Sequence, residues 1–344
     1  MVLFRFDSRR ATRRTASGTA KLVRSTVKAA HTAAKQQTKV VRQTRHMLKA
    51  LEREPSSRPP GRFVDVDGLR VHYIVRGKGR PVVLIHGNGT MAEDFVISGL
   101  LDQLAKKYRV IAIDRPGFGH TERPRHRIWT ASAQARLLER VLAQLNVERP
   151  VIVGHSWGTI VSLALATQTQ SDLRGLVLLA GYYYPSRRTD VALITPLAVP
   201  GMGDVARALM PDAIGHLLAP QVFRHVFKPQ PVPARFMARF PVAISIHPTQ
   251  ARASAEDTAT MNAAAALLER HYPTLRLPVA ILAGDADAVV DARAQSRRLQ
   301  EDVVGSTLLI LRGQGHMIHY SARAKIGQAI DAHMALTNKS LKRR

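Results

Sequence analysis

Cysteine is absent from the 344-residue sequence. That excludes a disulfide scaffold, a thiolate metal site and a cysteine nucleophile, and it fits a reducing compartment. Long apolar runs are missing too. Runs such as residues 176–180 cover only a few positions, far short of the roughly 20 apolar residues of a membrane-crossing helix. No charged start is followed by an apolar stretch of about 7–15 residues, so a standard secretory signal is not expected. Acidic residues are scarce: 25 Asp and Glu stand against 51 Lys and Arg, a formal net charge of +26. Such a surplus favours association with polyanions and says nothing about fold. What the chain does have is 45% hydrophobic residues, enough for a sizeable core. Its length is one that a single α/β domain reaches with insertions.

The charge is unevenly spread. Residues 1–60 carry 15 Lys and Arg against 3 Asp and Glu, a net of +12, and the other 284 residues carry +14. Residues 17–51 read as one helix, because neither Pro nor Gly interrupts them after Gly18. Val23, Val27, Ala30, Ala34, Val41, Leu48 and Leu51 form a thin apolar stripe at helical spacing. The run from Pro55 to Pro60 is a linker. Four roles are open for this extension: a basic amphipathic helix on an anionic membrane surface, non-specific phosphate contact, a solvated and partly disordered arm, or a transit peptide. Beyond Phe4 and Phe6 no aromatic residues interleave its charges, which argues against a stacking platform for single strands, and nucleic acid is not the expected partner. The expected location is the cytoplasm, free or peripheral at a membrane.

From Arg62 the texture becomes alternating strands and helices. Residues 62–66 and 70–76 flank Asp67-Gly68, a hairpin signal. Short apolar runs at 82–85, 110–113, 151–153, 176–179, 279–282 and 307–311 read as buried strands. Helical stretches at 131–145, 159–169 and 292–300 lie between several of them. That alternation predicts a mostly parallel sheet with helices on both faces. Residues 182–248 break the rhythm, with 10 of the 19 prolines and no convincing strand. Tyr182, Tyr183, Tyr184, Leu193, Phe223, Phe227, Phe236 and Phe240 keep this stretch apolar, which predicts short helices packed over the sheet. The expected division is an extension and linker at 1–60, a core at 61–181, an insertion at 182–257, and the rest of the core with a basic tail at 258–344.

The strongest chemical signal is Gly154-His155-Ser156-Trp157-Gly158, directly after an apolar strand and directly before a helical run. A G-x-S-x-G sequence in that context is a sharp turn that lifts a serine hydroxyl clear of the sheet. Its glycines are needed because side chains there would collide with neighbouring elements. Ser156 needs a base and an orienting carboxylate, which on this kind of sheet arrive in the order acid, then histidine. His316 lies just after the strand at 307–311. Asp285 and Asp287 both lie just after the strand at 279–282. Ends of strands are where sites form in open α/β sheets. Either carboxylate can serve, with Asp287 preferred. An oxyanion needs two donors. The Trp157 N–H is one, and Asn88, between Gly87 and Gly89 after the strand at 82–85, is best placed for the other. His86 reads as a structural histidine of that loop.

His86-Gly87-Asn88-Gly89, Asp114-Arg115-Pro116-Gly117-Phe118-Gly119-His120, the Ser156 pentapeptide, Gly284-Asp285-Ala286-Asp287 and Gly315-His316 together resemble the α/β-hydrolase superfamily, in that family's order and separations, over about residues 62–335. The resemblance implies an α/β-hydrolase fold with a helical cap at the insertion, Ser156, Asp287 and His316 as catalytic triad, and Asn88 and Trp157 as oxyanion hole. It supports Asp287 because the family's acid stands three residues after the glycine of that turn. It gives the Asp114–His120 segment a structural role only. No metal or organic cofactor is implied. The details are similar to the branch of epoxide hydrolases and haloalkane dehalogenases, whose nucleophile is Asp. Ser156 therefore points to acyl chemistry instead: a small or medium apolar carboxylic ester, with thioester, amide, lactone, C–C bond, acyl transfer or peracid chemistry sharing the apparatus. A non-catalytic binding module on this fold is the alternative of another class.

Overall fold

Arg62–Val66 (β1) and Leu69–Arg76 (β2) pair antiparallel, with Arg62 opposite Tyr73. They are joined at Asp67 and Gly68, whose φ values of 52° and 75° are both positive. A two-residue turn of that kind matches the right-handed twist of the strands it joins. This hairpin is the antiparallel edge of an eight-stranded sheet seen in a computed structural model that describes residues 59–186, 198 and 212–336. The remaining strands are Pro81–Ile85 (β3), Arg109–Ile113 (β4), Val151–His155 (β5), Gly175–Leu179 (β6), Val279–Gly284 (β7) and Thr307–Leu311 (β8). The order is β1-β2-β4-β3-β5-β6-β7-β8, and every pairing from β4 to β8 is parallel.

Both faces of the parallel part are covered, which is why its strands are continuous apolar runs rather than alternating ones. Val83, Ile85, Ile111, Ile152 and Leu178 face one core. Val82, Leu84, Val110, Val153 and Leu179 face the other. Successive residues point to opposite faces, so a single run feeds both cores. Ala131–Gln144 (α3) and Gly158–Gln168 (α4) cover the first face through Leu137, Leu138, Val141, Ile160 and Val161. Glu93–Ser98 (α1), Leu100–Leu104 (α2) and Arg323–Ala335 (α11) cover the second through Phe95, Leu101, Ile326 and Ile330. Thr130 caps α3 by accepting the Ala133 N–H at 3.2 Å. The predicted helix at 292–300 is instead a π-turn at Arg293–Arg297 followed by the short helix Arg298–Asp302 (α9).

Described helices of the insertion are Asp212–Phe227 (α5), Ala234–Arg239 (α6), Val242–Ile246 (α7) and Pro248–Glu269 (α8). Helix α8 runs through residue 257, where the sequence had suggested the insertion ends. Phe223, Phe227, Phe236 and Phe240 stack on one another and on Tyr320 of Ile318–Ser321 (α10), with ring centroids 4.5–5.5 Å apart for Phe223–Phe240, Phe227–Tyr320 and Phe236–Phe240. The N-terminal helix and linker expected up to residue 58, Leu193, and the basic tail after residue 336 lie outside the described residues. Among the described residues no helix is long and apolar enough to cross a membrane.

The strand order reverses direction around β3. The chain leaves it for β4 on one side and later returns to β5 on the other. The loops after β3 and β5 diverge there and open a crevice at their C-terminal ends, where ligands bind in sheets of this kind.

Candidate active site

Ser156 sits at the tip of the turn from β5 to α4 with φ of 52°, in the left-handed region. A non-glycine residue there carries strain of about 1–3 kcal/mol and persists only where its surroundings hold it. They do so here: the Ser156 N–H donates to the Leu179 carbonyl at 2.9 Å, and its own carbonyl accepts from Thr159 N–H and Oγ1 at 3.0 and 2.7 Å. The flanking glycines are sterically required. A side-chain carbon on Gly158 would lie 2.6 Å from the His86 carbonyl, and one on Gly154 2.5 Å from Ser162 Oγ.

His316 follows β8 and Asp287 follows β7. The Asp287 Oδ2 lies 2.8 Å from His316 Nδ1, and both side chains are buried. The other carboxylate oxygen accepts the Val289 and Val290 N–H groups at 2.7 and 3.0 Å. An ionised carboxylate only accepts, so Nδ1 carries the proton and His316 Nε2 keeps a free lone pair. Asp285 is used elsewhere: its Oδ1 accepts the Gly313 N–H at 2.6 Å and pins the loop that leads to His316. Gln230, from the insertion, grips the same loop by accepting from Gly315 at 3.1 Å and donating to the Gly313 carbonyl at 2.7 Å. His155 Nε2 donates to the His316 carbonyl at 3.1 Å, and burial pushes His155 well below its ordinary pKa, so it stays neutral.

His86 holds the loop after β3. Its Nδ1 donates to the Gly87 carbonyl at 2.8 Å and its Nε2 accepts the Arg115 N–H at 3.0 Å. Burial pushes it down to about 3, so both nitrogens serve backbone groups and the ring stays neutral. The Asn88 side chain donates to the Ser254 carbonyl and Thr258 Oγ1 on α8, at 3.1 and 3.0 Å. The backbone N–H groups of Asn88 and Trp157 donate to no acceptor among the described residues. The Trp157 indole N–H donates to the Asp257 carbonyl at 3.1 Å.

Ser156, His316, Asn88 and Trp157 line one cavity of about 220 Å³. Ser156 and His316 face it without a direct hydrogen bond between them. Asp287 stands behind His316. More of the wall comes from Tyr182, Val222, Phe223, Val226, Phe236, Phe240, Met261, Val289, Val290 and Met317, with Ser254, Thr258, Thr90 and His155 among the polar points. Among the described residues, no Asp, Glu, Lys or Arg lines it.

Sequence reasoning missed Arg115, Asp257 and Gln230 around this site. For Asp257 a signal exists. Gln250, Ala253, Asp257, Met261, Ala265 and Leu268 form the buried stripe of α8, so a carboxylate stands on an otherwise weakly polar helix face. Such a group must find a buried partner.

An open, mainly parallel sheet with this strand–turn–helix serine defines the class as a hydrolase-type α/β domain. The comparisons carry this further. The model of the alpha/beta hydrolase fold family matches residues 80–322, and the chain belongs to that family of hydrolases. Over 280 residues, 78% of this chain and 93% of the relative, the sequence is 26% identical to haloalkane dehalogenase 2 of Mycobacterium tuberculosis. An esterase structure from Thermogutta terrifontis aligns over 80% of this chain and 98% of its own, with TM-score 0.62 and 21% identity. The enol-lactonase of Burkholderia xenovorans aligns over 80% and 100%, with TM-score 0.63 and 20% identity. At these identities the structural matches speak for the fold.

Proposed function

We propose that the protein is a serine hydrolase that cleaves a small, uncharged carboxylic ester through an acyl-enzyme. The observation that carries this is the Asp287–His316 pair at 2.8 Å, opening with strained Ser156 on one apolar cavity. Ser156 Oγ attacks the substrate carbonyl. His316 Nε2 takes the hydroxyl proton and returns it to the departing alcohol, while Asp287 holds the tautomer and stabilises the imidazolium. The free N–H groups of Asn88 and Trp157 receive the oxyanion. Water, activated by the same histidine, then releases the acid. Ser156 and His316 share the cavity, and a nucleophile–base hydrogen bond of this kind often forms only with substrate in place.

Ser156 argues against dehalogenase or epoxide-opening chemistry. Displacement at a saturated carbon by a serine oxygen leaves an ether, which has no carbonyl for water to attack. A carboxylate nucleophile leaves an ester, which does. The described wall, which has no Asp, Glu, Lys or Arg, favours neutral substrates, and about 220 Å³ lies below the roughly 300–1,000 Å³ of drug-sized pockets, which favours short acyl and alcohol groups. Thioesters, lactones and amides would reach the same acyl-enzyme, and the ester reading rests on the small apolar cavity. The basic segment at 1–60 is proposed to bind anionic surfaces.

The test is labelling with a fluorophosphonate, followed by a p-nitrophenyl ester panel from acetate to decanoate. Labelling at Ser156 and a maximum at short chains are expected. Ser156→Ala removes both, with a loss of roughly 10⁴-fold or more in kcat. A folded Ser156→Ala protein with substantial turnover would refute the mechanism, and an unlabelled, inactive parent would favour a binding module.

A further inference from the structure

Arg115 lies on the loop after β4, is 3% exposed, and takes no step in the chemistry above. Its Nε donates to the His86 carbonyl at 3.0 Å and its Nη2 to the Gly87 carbonyl at 2.9 Å. The Gly87 carbonyl and the Asn88 N–H belong to one peptide unit. That unit is planar, so fixing the carbonyl fixes the direction of the N–H on its opposite side. The same guanidinium lies over the Trp157 indole, 4.6 Å from the ring centroid. Its Nη1 donates to the Asp257 carboxylate and, at 3.1 Å, to Gln134 Oε1. Asp257 is wholly buried on α8, and its other oxygen accepts from Arg123 Nη2 and Gln134 Nε2 at 3.1 and 3.0 Å. The Asp257 backbone carbonyl takes the Trp157 indole N–H. One ion pair thus touches the Gly87–Asn88 peptide, Trp157 and the helix that roofs them.

We infer that the Arg115–Asp257 pair is the positioning unit of the oxyanion hole: it aims the Asn88 N–H through the Gly87–Asn88 peptide and registers α8 against Trp157. This rests on the acyl-transfer reading of the same site. Stability alone is a weak reason for the pair, since buried ion pairs are often matched by apolar side chains of similar volume. A planar fork that holds two successive carbonyls and a carboxylate at fixed angles is a reason apolar packing cannot supply, nor can the single ammonium of lysine. Arg123 is the internal contrast. It holds the second oxygen of Asp257 and the Pro116 carbonyl at 2.9 Å, yet touches neither His86 nor Gly87.

The experiment compares Arg115→Met, Arg115→Lys, Asp257→Asn and Arg123→Met in the full chain, with kcat expressed per fluorophosphonate-titrated site. Removing one oxyanion donor outright costs about 10²–10³ in kcat. Misaiming one should therefore lower kcat about 10²-fold in Arg115→Met and about tenfold in Asp257→Asn, with KM within threefold. Affinity for a trifluoromethyl ketone, whose tetrahedral adduct carries the oxyanion, should fall by the same factor as kcat/KM. Arg115→Lys should recover Tm but not kcat. Arg123→Met should lower Tm and keep kcat per titrated site within about threefold. Intact kcat per site in Arg115→Met and Asp257→Asn would overturn the inference, as would an equal loss in Arg123→Met. If Arg115→Met is insoluble, Asp257→Asn and Arg115→Lys decide by the same criteria. A parent protein that neither labels nor turns over would instead refute the hydrolase reading, and this inference with it.

Discussion

Asp287→Asn should cripple turnover while Asp285→Asn should not, although the two carboxylates stand two residues apart on one loop. In the structure Asp287 accepts three hydrogen bonds: His316 Nδ1 at 2.8 Å and the N–H groups of Val289 and Val290 at 2.7 and 3.0 Å. An asparagine there keeps its carbonyl oxygen on the two backbone donors. Its NH₂ must then face His316 Nδ1, which has to become the acceptor. The histidine proton moves to Nε2, the nitrogen that should receive the Ser156 proton, and the base is lost. The imidazolium also loses its countercharge. A wrong tautomer of this kind is worth about 10⁴ in kcat, or about 5 kcal/mol of barrier at 1.36 kcal/mol per decade. At Asp285 an asparagine keeps its amide oxygen on the Gly313 N–H, which Asp285 accepts at 2.6 Å, so only the charge of that exposed bond is lost. That should cost about 1 kcal/mol of stability or less and less than tenfold in rate. The assay is kcat/KM with p-nitrophenyl acetate, on protein shown by near-ultraviolet circular dichroism to be folded. If Asp285→Asn is the more damaging, or if Asp287→Asn keeps a tenth of the parent rate, the acid assignment fails.

Gly158→Ala should destabilise the fold by about 2 kcal/mol or more, because its new carbon would sit 2.6 Å from the His86 carbonyl, and the atoms it meets are backbone and cannot swing aside; a melting temperature equal to the parent's would refute the steric argument. Acid should unfold the protein earlier than carboxylate protonation alone requires. His86 has a folded pKa of about 3, below the unfolded value of about 6.5, so the unfolded chain takes the extra proton. Its contribution is fully present above pH 6.5 and is lost as pH falls towards 3, by about 5 kcal/mol at the acid limit. His155 is lowered too and adds in the same direction, while His72, raised overall, acts oppositely by losing its contribution as pH rises. Urea midpoints that do not change between pH 7 and pH 4 would contradict this. Removing residues 1–58 should abolish salt-sensitive binding to phosphatidylserine vesicles and leave hydrolase activity intact; equal binding by both proteins would reject a surface-targeting role for the extension.

Local chemistry made much of this protein readable without coordinates. The parallel strands are apolar runs because both sheet faces are covered, so Val82–Ile85 and Val151–Val153 announce themselves by composition. The turn at Asp67-Gly68 needs two positive φ values, which few residue pairs accept. The pentapeptide around Ser156 is legible because only glycine fits beside the backbone of the next strand and helix. Each of these depends on neighbours within a few residues.

The rest depended on residues far apart in the chain. Two aspartates after β7 share one loop and one composition; the choice between them is made by where β8 delivers His316, 29 residues away from Asp287. The Arg115–Asp257 contact spans 142 positions and joins a loop read as a mere turn to a helix of the insertion. Its warrant is burial, which periodicity can hint at but only packing determines. The cavity has the same origin, since its wall is drawn from β-strand loops, α5, α8 and the start of α10, and no segment contains its shape. Sequence alone settled what the backbone must do locally, because sterics and hydration act at short range. Tertiary structure settled which polar groups meet, because a buried hydrogen bond is a matter of direction and distance between elements that the chain brings together only by folding.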